Sequence, residues 1–230
     1  MNGIDAEQLR VHYTDTAGNF DVGYYVGGVA TWTPVVSGGT GERRSVTISI
    51  PAGATPIEIR RTSGMVYLLG LEALSPSRKG VTFNPCGNSS SLSVNLIQAS
   101  AGYGILQEMA VDMIVFILGT NDAAIYLSDQ EFVANLEAWI TGVRARQPGV
   151  GIVLVAPPRT GNGPTNRSDL VMFRSALYAL SMRRSCEFFS IYDWGSYTEM
   201  NGLGMFADGV HPGPVSARLI ADRLTTTLDI

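Results

Sequence analysis

Cysteine and histidine are almost missing from this chain, with two of each in 230 residues. Cys86 and Cys186 make neither a metal-ligand cluster nor a disulfide framework. Both are expected as free thiols, and neither a metal nor any other cofactor is implied. Charge is also sparse: 16% of residues are charged, and the formal net charge is -4. Nucleic acid is therefore excluded as a partner, because no basic face is advertised. Long apolar runs are missing too. The longest, Met113-Ile114-Val115-Phe116-Ile117-Leu118, falls far short of a membrane span. The opening Met1-Asn2-Gly3-Ile4-Asp5 has neither the basic nor the apolar region of a signal peptide. Internal repeats, low-complexity tracts and an obvious linker are absent as well. What remains is 45% hydrophobic residues and 26 glycines. That is enough apolar material for one large domain or two small ones, with many turns.

The rhythm of the sequence changes near residue 80. Before it, short alternating runs at 9–15, 20–26, 30–36, 45–50, 56–62 and 65–73 are separated by turn residues such as Gly27-Gly28, Pro51-Ala52-Gly53 and Ser63-Gly64. Val46, Ile48 and Ile50 alternate with Thr47 and Ser49, the pattern of a sheet with one face in water. Closely spaced short strands predict an antiparallel, jelly-roll-like β-sandwich over residues 1–79. After residue 80, strands alternate with helices. A short strand is expected at 81–84, a helix at 91–110 interrupted by Gly102 and Gly104, and a strand at 112–118. The unbroken apolar run of that strand fits a parallel sheet covered on both faces. Ser128 and Glu131 form a capping box that starts a helix running to about Arg146. A buried strand follows at 151–156, stopped by Pro157-Pro158. Then come a helix at 168–184, a strand at 187–192 and an amphipathic helix at 215–228. Residues 80–230 thus read as a doubly wound α/β layer, with functional loops at the carboxyl ends of its strands.

Three short stretches carry chemistry. Asp208-Gly209-Val210-His211-Pro212 sets an acid three residues before one of the two histidines, in a Gly- and Pro-punctuated loop. An Asp fixed beside a His is the orienting half of a hydrolase triad, because the carboxylate accepts the imidazole N–H and stabilises the imidazolium. Gly119-Thr120-Asn121-Asp122 directly follows the strand at 112–118. Asn121 there is a neutral donor for a developing oxyanion, or the stretch is a polar loop in which Asn121 or Asp122 makes a local turn bond. Cys86-Gly87-Asn88-Ser89 follows the strand at 81–84 in the same way, and Gly87 lets the backbone approach a ligand closely. His12 alternates along a strand with no acid at metal-ligand spacing and is expected on the surface. Tyr24, Tyr25 and Trp32 fit either a core or a sugar-stacking surface.

A Gly after one strand, Gly-Thr-Asn-Asp after the next, and Asp-Gly-Val-His-Pro before the last helix together resemble the SGNH (GDSL-like) hydrolase family, over roughly residues 80–230. The resemblance implies a three-layer α/β/α, flavodoxin-like fold. It implies His211 as general base and acid, Asp208 as its orienting partner, and Asn121 and the Gly87 N–H as oxyanion donors. It also implies a serine-type esterase, with O-deacetylation of an acylated carbohydrate as the expected reaction. The family's Gly-Asp-Ser nucleophile block, however, occurs nowhere in the chain.

Two explanations compete. Some members, including esterases of phage tail fibres and tailspikes, carry a β-sandwich inserted between the serine block and the Gly block. Residues 1–79 resemble such an insert. The serine would then come from a segment upstream or from a separate N-terminal fragment, and a virion setting would follow. The rival is Thr14-Asp15-Thr16 as a distorted nucleophile block, although a strand rather than the family's helix is expected after it. Ser89, Ser90 and Ser91 lie on the wrong block and are expected to cap a helix. The alternative function is a non-catalytic glycan-binding or structural module on the same scaffold.

Overall fold

The computed structural model describes residues 6–77, 84, 90–98, 109–161 and 169–228. The chain divides into two compact units, Met1–Cys86 and Gly87–Ile230.

The first unit is built from six strands: β1 (Gln8–Thr14), β2 (Asn19–Val26), β3 (Val29–Val35), β4 (Arg43–Ser49), β5 (Ile57–Ser63) and β6 (Tyr67–Leu74). They pair into two antiparallel sheets, ordered β4-β1-β6 and β3-β2-β5. Alternate residues of both sheets meet in one core: Leu9, Val11 and Tyr13 of β1 with Phe20 and Val22 of β2, Val35 of β3 and Ile48 of β4. The Tyr13 and Phe20 rings meet edge to face at 5.1 Å. Asp15 closes the unit at one end. It is buried, and it accepts the Thr40 hydroxyl (2.7 Å) and the Gly38 N–H (2.6 Å) while pairing with Arg44. The Ser37 and Thr40 hydroxyls hold its carboxyl well below the usual carboxylate range.

One expectation fails in this unit. His12 is buried, not on the surface: its Nε2 lies 2.7 Å from Glu72 Oε2, and Glu72 is buried as well. The period of two that sets Val11 and Tyr13 in the core turns His12 to the other face of β1. There β6 presents Glu72, opposite Arg10 in the ladder, so a carboxylate compensates the buried ring. Thr14-Asp15-Thr16 is followed by a strand, as expected, and not by the helix that follows the family's nucleophile block. The chain reverses into β2 without a helix, and the Thr16 hydroxyl donates to the Met65 carbonyl (2.5 Å). Among the aromatics, Tyr24 packs on the core. Trp32 lies across Gly23 under the Arg60 guanidinium, 4.1 Å from its ring centre.

The second unit holds a parallel sheet, β7 (Met113–Ile117), β8 (Gly151–Ala156) and β9 (Glu187–Ser190), in the order β7-β8-β9. Its helices are α1 (Ser93–Gln98), α2 (Thr120–Ala124), α3 (Asp129–Arg146), α4 (Asp169–Arg184), α5 (Tyr197–Gly202) and α6 (Pro214–Leu228). The apolar runs are unbroken because each face of the sheet has its own core. Ile114 and Phe116, with Ile152, Leu154 and Ala156, meet Phe132, Leu136 and Ile140 of α3 and Phe173 and Leu177 of α4. Met113 and Val115, with Val153 and Val155, meet Met200 of α5 and Ile220 and Leu224 of α6. The result is three layers, α/β/α. The capping box of Ser128 and Glu131 starts α3 as expected. A second, Ser196 with Glu199, starts α5, a helix not anticipated from the sequence. β9 ends at Ser190, and a 3-10 turn at Tyr192–Trp194 replaces the rest of the expected strand. The expected strand at 81–84, apart from Asn84, and residues 99–108 of the helix expected at 91–110 lie outside the described residues.

Candidate active site

The Asp208 turn is built from its own residues. Asp208 Oδ1 accepts the backbone N–H groups of Val210 (3.1 Å) and His211 (2.8 Å), and Oδ2 lies 2.7 Å from His211 Nδ1. An aspartate that bonds the backbone two and three residues ahead makes its own turn. Gly209 supplies the positive φ of 87°, which costs glycine nothing. The flanks are clamped: the Ala207 N–H donates to the His211 carbonyl (2.9 Å), and the Gly213 N–H donates to the Met205 carbonyl (2.7 Å). Ser216, in the first turn of α6, donates its hydroxyl to the same Met205 carbonyl (2.6 Å).

This arrangement fixes the chemistry of the pair. The His211 backbone N–H, its ring, and the Val210 N–H hold the Asp208 carboxyl down to about 2. An ionised Asp208 accepts a hydrogen bond from the Nδ1–H of a neutral imidazole, which leaves the Nε2 lone pair to receive a proton. Among the described residues no hydrogen bond engages Nε2. The His211 side chain is 76% exposed, so the ring is oriented but not yet enclosed.

Asn121 is held in the opposite manner. β7 passes through Leu118 to Gly119, whose φ of 123° favours glycine. A Cβ there would lie 3.3 Å from Phe132 Cζ and 3.4 Å from Phe173 Cδ2. The chain then enters α2 rather than an open loop, and Asn121 and Asp122 stand in its first turn. Asn121 Nδ2 donates to the Ser91 carbonyl (3.1 Å). Asp122 is fully buried, and its Oδ1 accepts both the N–H (2.9 Å) and the hydroxyl (2.6 Å) of Ser93. Asn135 of α3 donates to that Ser93 hydroxyl (2.9 Å).

The two turns share one edge of the sheet. Asn121 follows the carboxyl end of β7. The Gly161 N–H, beyond the carboxyl end of the neighbouring β8, donates to the Gly209 carbonyl (3.0 Å) and ties the Asp208 turn to that end. The sequence-derived site residues therefore fall into three groups. Asp208 and His211 are in direct contact, Asn121 stands at the same sheet edge, and Gly87 lies outside the described residues. Sequence reasoning missed Asp122, Ser93 and Asn135, whose bonds join positions 29 and 42 residues apart and leave no local pattern. Burial pushes the Cys186 thiol up, which disfavours its thiolate. Among the described residues no cluster of His, Cys, Asp and Glu suited to a metal ion is present, and no helix is long and apolar enough to cross a membrane.

The chain belongs to the GDSL-like lipase/acylhydrolase family, which it matches over residues 71–219. Among solved structures it is similar to a peptidoglycan O-acetylesterase, with a TM-score of 0.75 and 20% identity. That likeness covers 99% of this chain but 65% of the other, so the chain spans about two thirds of that protein's length. It is also similar to a carbohydrate esterase family 3 protein from Talaromyces cellulolyticus (TM-score 0.52, 18% identity, 68% of this chain and 77% of that one). A third is an acetyl xylan esterase (TM-score 0.52, 17% identity, 62% and 78%). At such identities the likeness is one of fold. No curated protein matches the sequence.

Proposed function

We propose that this chain carries the base and the oxyanion donors of a serine-type ester hydrolase that removes acetyl groups from an acylated carbohydrate. The observation that carries the reading is the 2.7 Å contact of Asp208 with His211 Nδ1, which leaves Nε2 without a hydrogen bond among the described residues, at the sheet edge that also bears Asn121. In this mechanism a serine hydroxyl attacks the ester carbonyl as its proton passes to His211 Nε2. The carbonyl oxygen becomes an oxyanion, which accepts from Asn121 Nδ2 and the Gly87 N–H. The intermediate then collapses, the bond to the sugar oxygen breaks, and His211 gives its proton to that oxygen so that it leaves as a hydroxyl; water then repeats the sequence on the acetyl-enzyme to release acetate. The carbohydrate and acetyl specificity draws support from fold alone, through the similar structures described as O-acetyl and acetyl xylan esterases.

The nucleophile comes, in this reading, from a segment beyond residues 1–230, upstream or on a separate fragment. No Gly-Asp-Ser occurs in the sequence, and the Thr16 hydroxyl is spent on a backbone carbonyl. Such a segment would pair beside β7, an all-apolar strand whose Ile117 is exposed while β8 is buried along nearly its whole length. Among the described residues β7 pairs on one side only, with β8, and an unpaired apolar edge invites another strand. The β-rich unit is then a sandwich module lying between the serine block and the Gly block. The test is acetate release from an O-acetylated polysaccharide by the chain supplied with its upstream segment. Release that stops with His211→Ala supports the reading, and release unaffected by His211→Ala contradicts it.

A further inference from the structure

We infer that Asp122 is a positioning residue, which holds the Asn121 amide in its donating orientation by anchoring residues 91–93. The inference rests on Asn121 being an oxyanion donor.

A carboxamide has two nearly isosteric ends, and only one of them donates. What distinguishes them here is the Ser91 carbonyl. It accepts from Asn121 Nδ2 at 3.1 Å, whereas a flipped amide would set oxygen against oxygen. One N–H thus serves to orient the group, and the other remains for a ligand. The Ser91 carbonyl performs this only if its own segment cannot move. Two residues on, Ser93 is fully buried and gives both its N–H and its hydroxyl to Asp122 Oδ1, while Asn135 of α3 donates to the same hydroxyl. Adjacent residues of α2 therefore grip one short segment at two points.

The choice of an acid at this place also calls for a reason. Asp122 Oδ2 is buried with no hydrogen-bond partner among the described residues. Burying a carboxylate with one oxygen unpaired is costly. In return, charge-assisted bonds are short and directional, as the 2.6 Å contact with the Ser93 hydroxyl is. Rigid placement of the neighbouring amide is what such bonds provide.

The test uses Asp122→Ala, Asp122→Asn and Ser93→Ala, with Asn121→Ala to assign the Asn121 side-chain amide in ¹⁵N–¹H spectra. In the native chain one Asn121 amide proton should exchange slowly with solvent. Asp122→Ala should speed that exchange about tenfold, as expected for losing a bond of this kind. Asp122→Asn, which can still accept from Ser93, should restore most of the protection. Ser93→Ala should act in the same direction, more weakly, and replaces Asp122→Ala should that variant not fold. In the form that hydrolyses an aryl acetate, Asp122→Ala should lower kcat about 10–10²-fold with KM little changed, the cost of a misplaced catalytic group. If no form hydrolyses ester, the esterase reading fails and the amide exchange alone decides the role of Asp122. A fall in thermal stability with Asn121 exchange unchanged overturns the inference.

Discussion

The turn bearing Asp208 and His211 and the turn bearing Asn121 and Asp122 stand at one edge of the same sheet, yet they are held in place by different means. The Asp208 bonds to the Val210 and His211 N–H groups and to the His211 ring are all within three residues, both partners are well exposed, and the Gly161 N–H ties the turn to the end of β8. Asn121 is oriented by residues 30 positions away, and Gly119 beneath it rests on Phe132 and Phe173 of the core. On the proposed reading, a general base that must reach a moving proton can sit on an exposed turn whose orienting bonds are mostly local. An oxyanion donor has to be fixed before charge develops, so its position is set by the packed interior. The comparison predicts that the two turns fail separately.

The largest separation is expected from His211→Ala. In the complete enzyme it should lower kcat on the order of 10⁴-fold or more. Its thermal unfolding should stay within about 0.5 kcal/mol of the native protein, as for other exposed positions. Calorimetry alongside aryl acetate hydrolysis checks both halves. Phe132→Ala should do the reverse. Phe132 is fully buried and stacks on Phe173 with ring centres 4.5 Å apart, so its loss should cost about 3–5 kcal/mol of stability. The ring contact of Asp208 with His211 should survive, visible as an unchanged imidazole ¹⁵N spectrum in the folded fraction.

Gly119→Ala is a smaller perturbation of the same turn. The positive φ and the contact with Phe132 together should cost about 1–3 kcal/mol, read from urea unfolding. Loss of the Asn121 bond to Ser91 should accompany it.

How far these features are legible from sequence follows the same division. Asp208 and His211 were readable because a bond between positions three apart is written locally. The strands were readable because burial on one face or on two produces distinct periodicities, as in Val46 to Ile50 against Met113 to Ile117. Asp122 was not readable, since its partner Ser93 is an ordinary serine until the fold brings the two together. His12 was misjudged for the same reason: Glu72, which compensates its burial, is 60 residues away. The helix α5 had its signal in Ser196 and Glu199, but Gly195 and Gly202 at its ends hid so short an element.

The smallest expected effect concerns pH. The Asp208 carboxyl is lowered from 3.8 to about 2, so the folded state favours its ionised form. The stabilisation this provides is fully present above about pH 4 and is lost as pH falls through about 2. A ¹³C titration of the Asp208 carboxyl should have its midpoint near 2 in the native protein. In His211→Ala the midpoint should move only part of the way back to 3.8, because the two backbone N–H bonds persist. A native midpoint near 3.8 would show that the turn is not preorganised.

The central claim is that His211 and Asn121 serve a serine supplied from beyond residues 1–230. Labelling by a serine-directed fluorophosphonate tests it most directly, on the chain alone and on the chain with its upstream segment. The account predicts no labelling of residues 1–230, labelling when the segment is present, and its loss with His211→Ala. Ester hydrolysis by residues 1–230 alone that disappears with Thr16→Ala would contradict it.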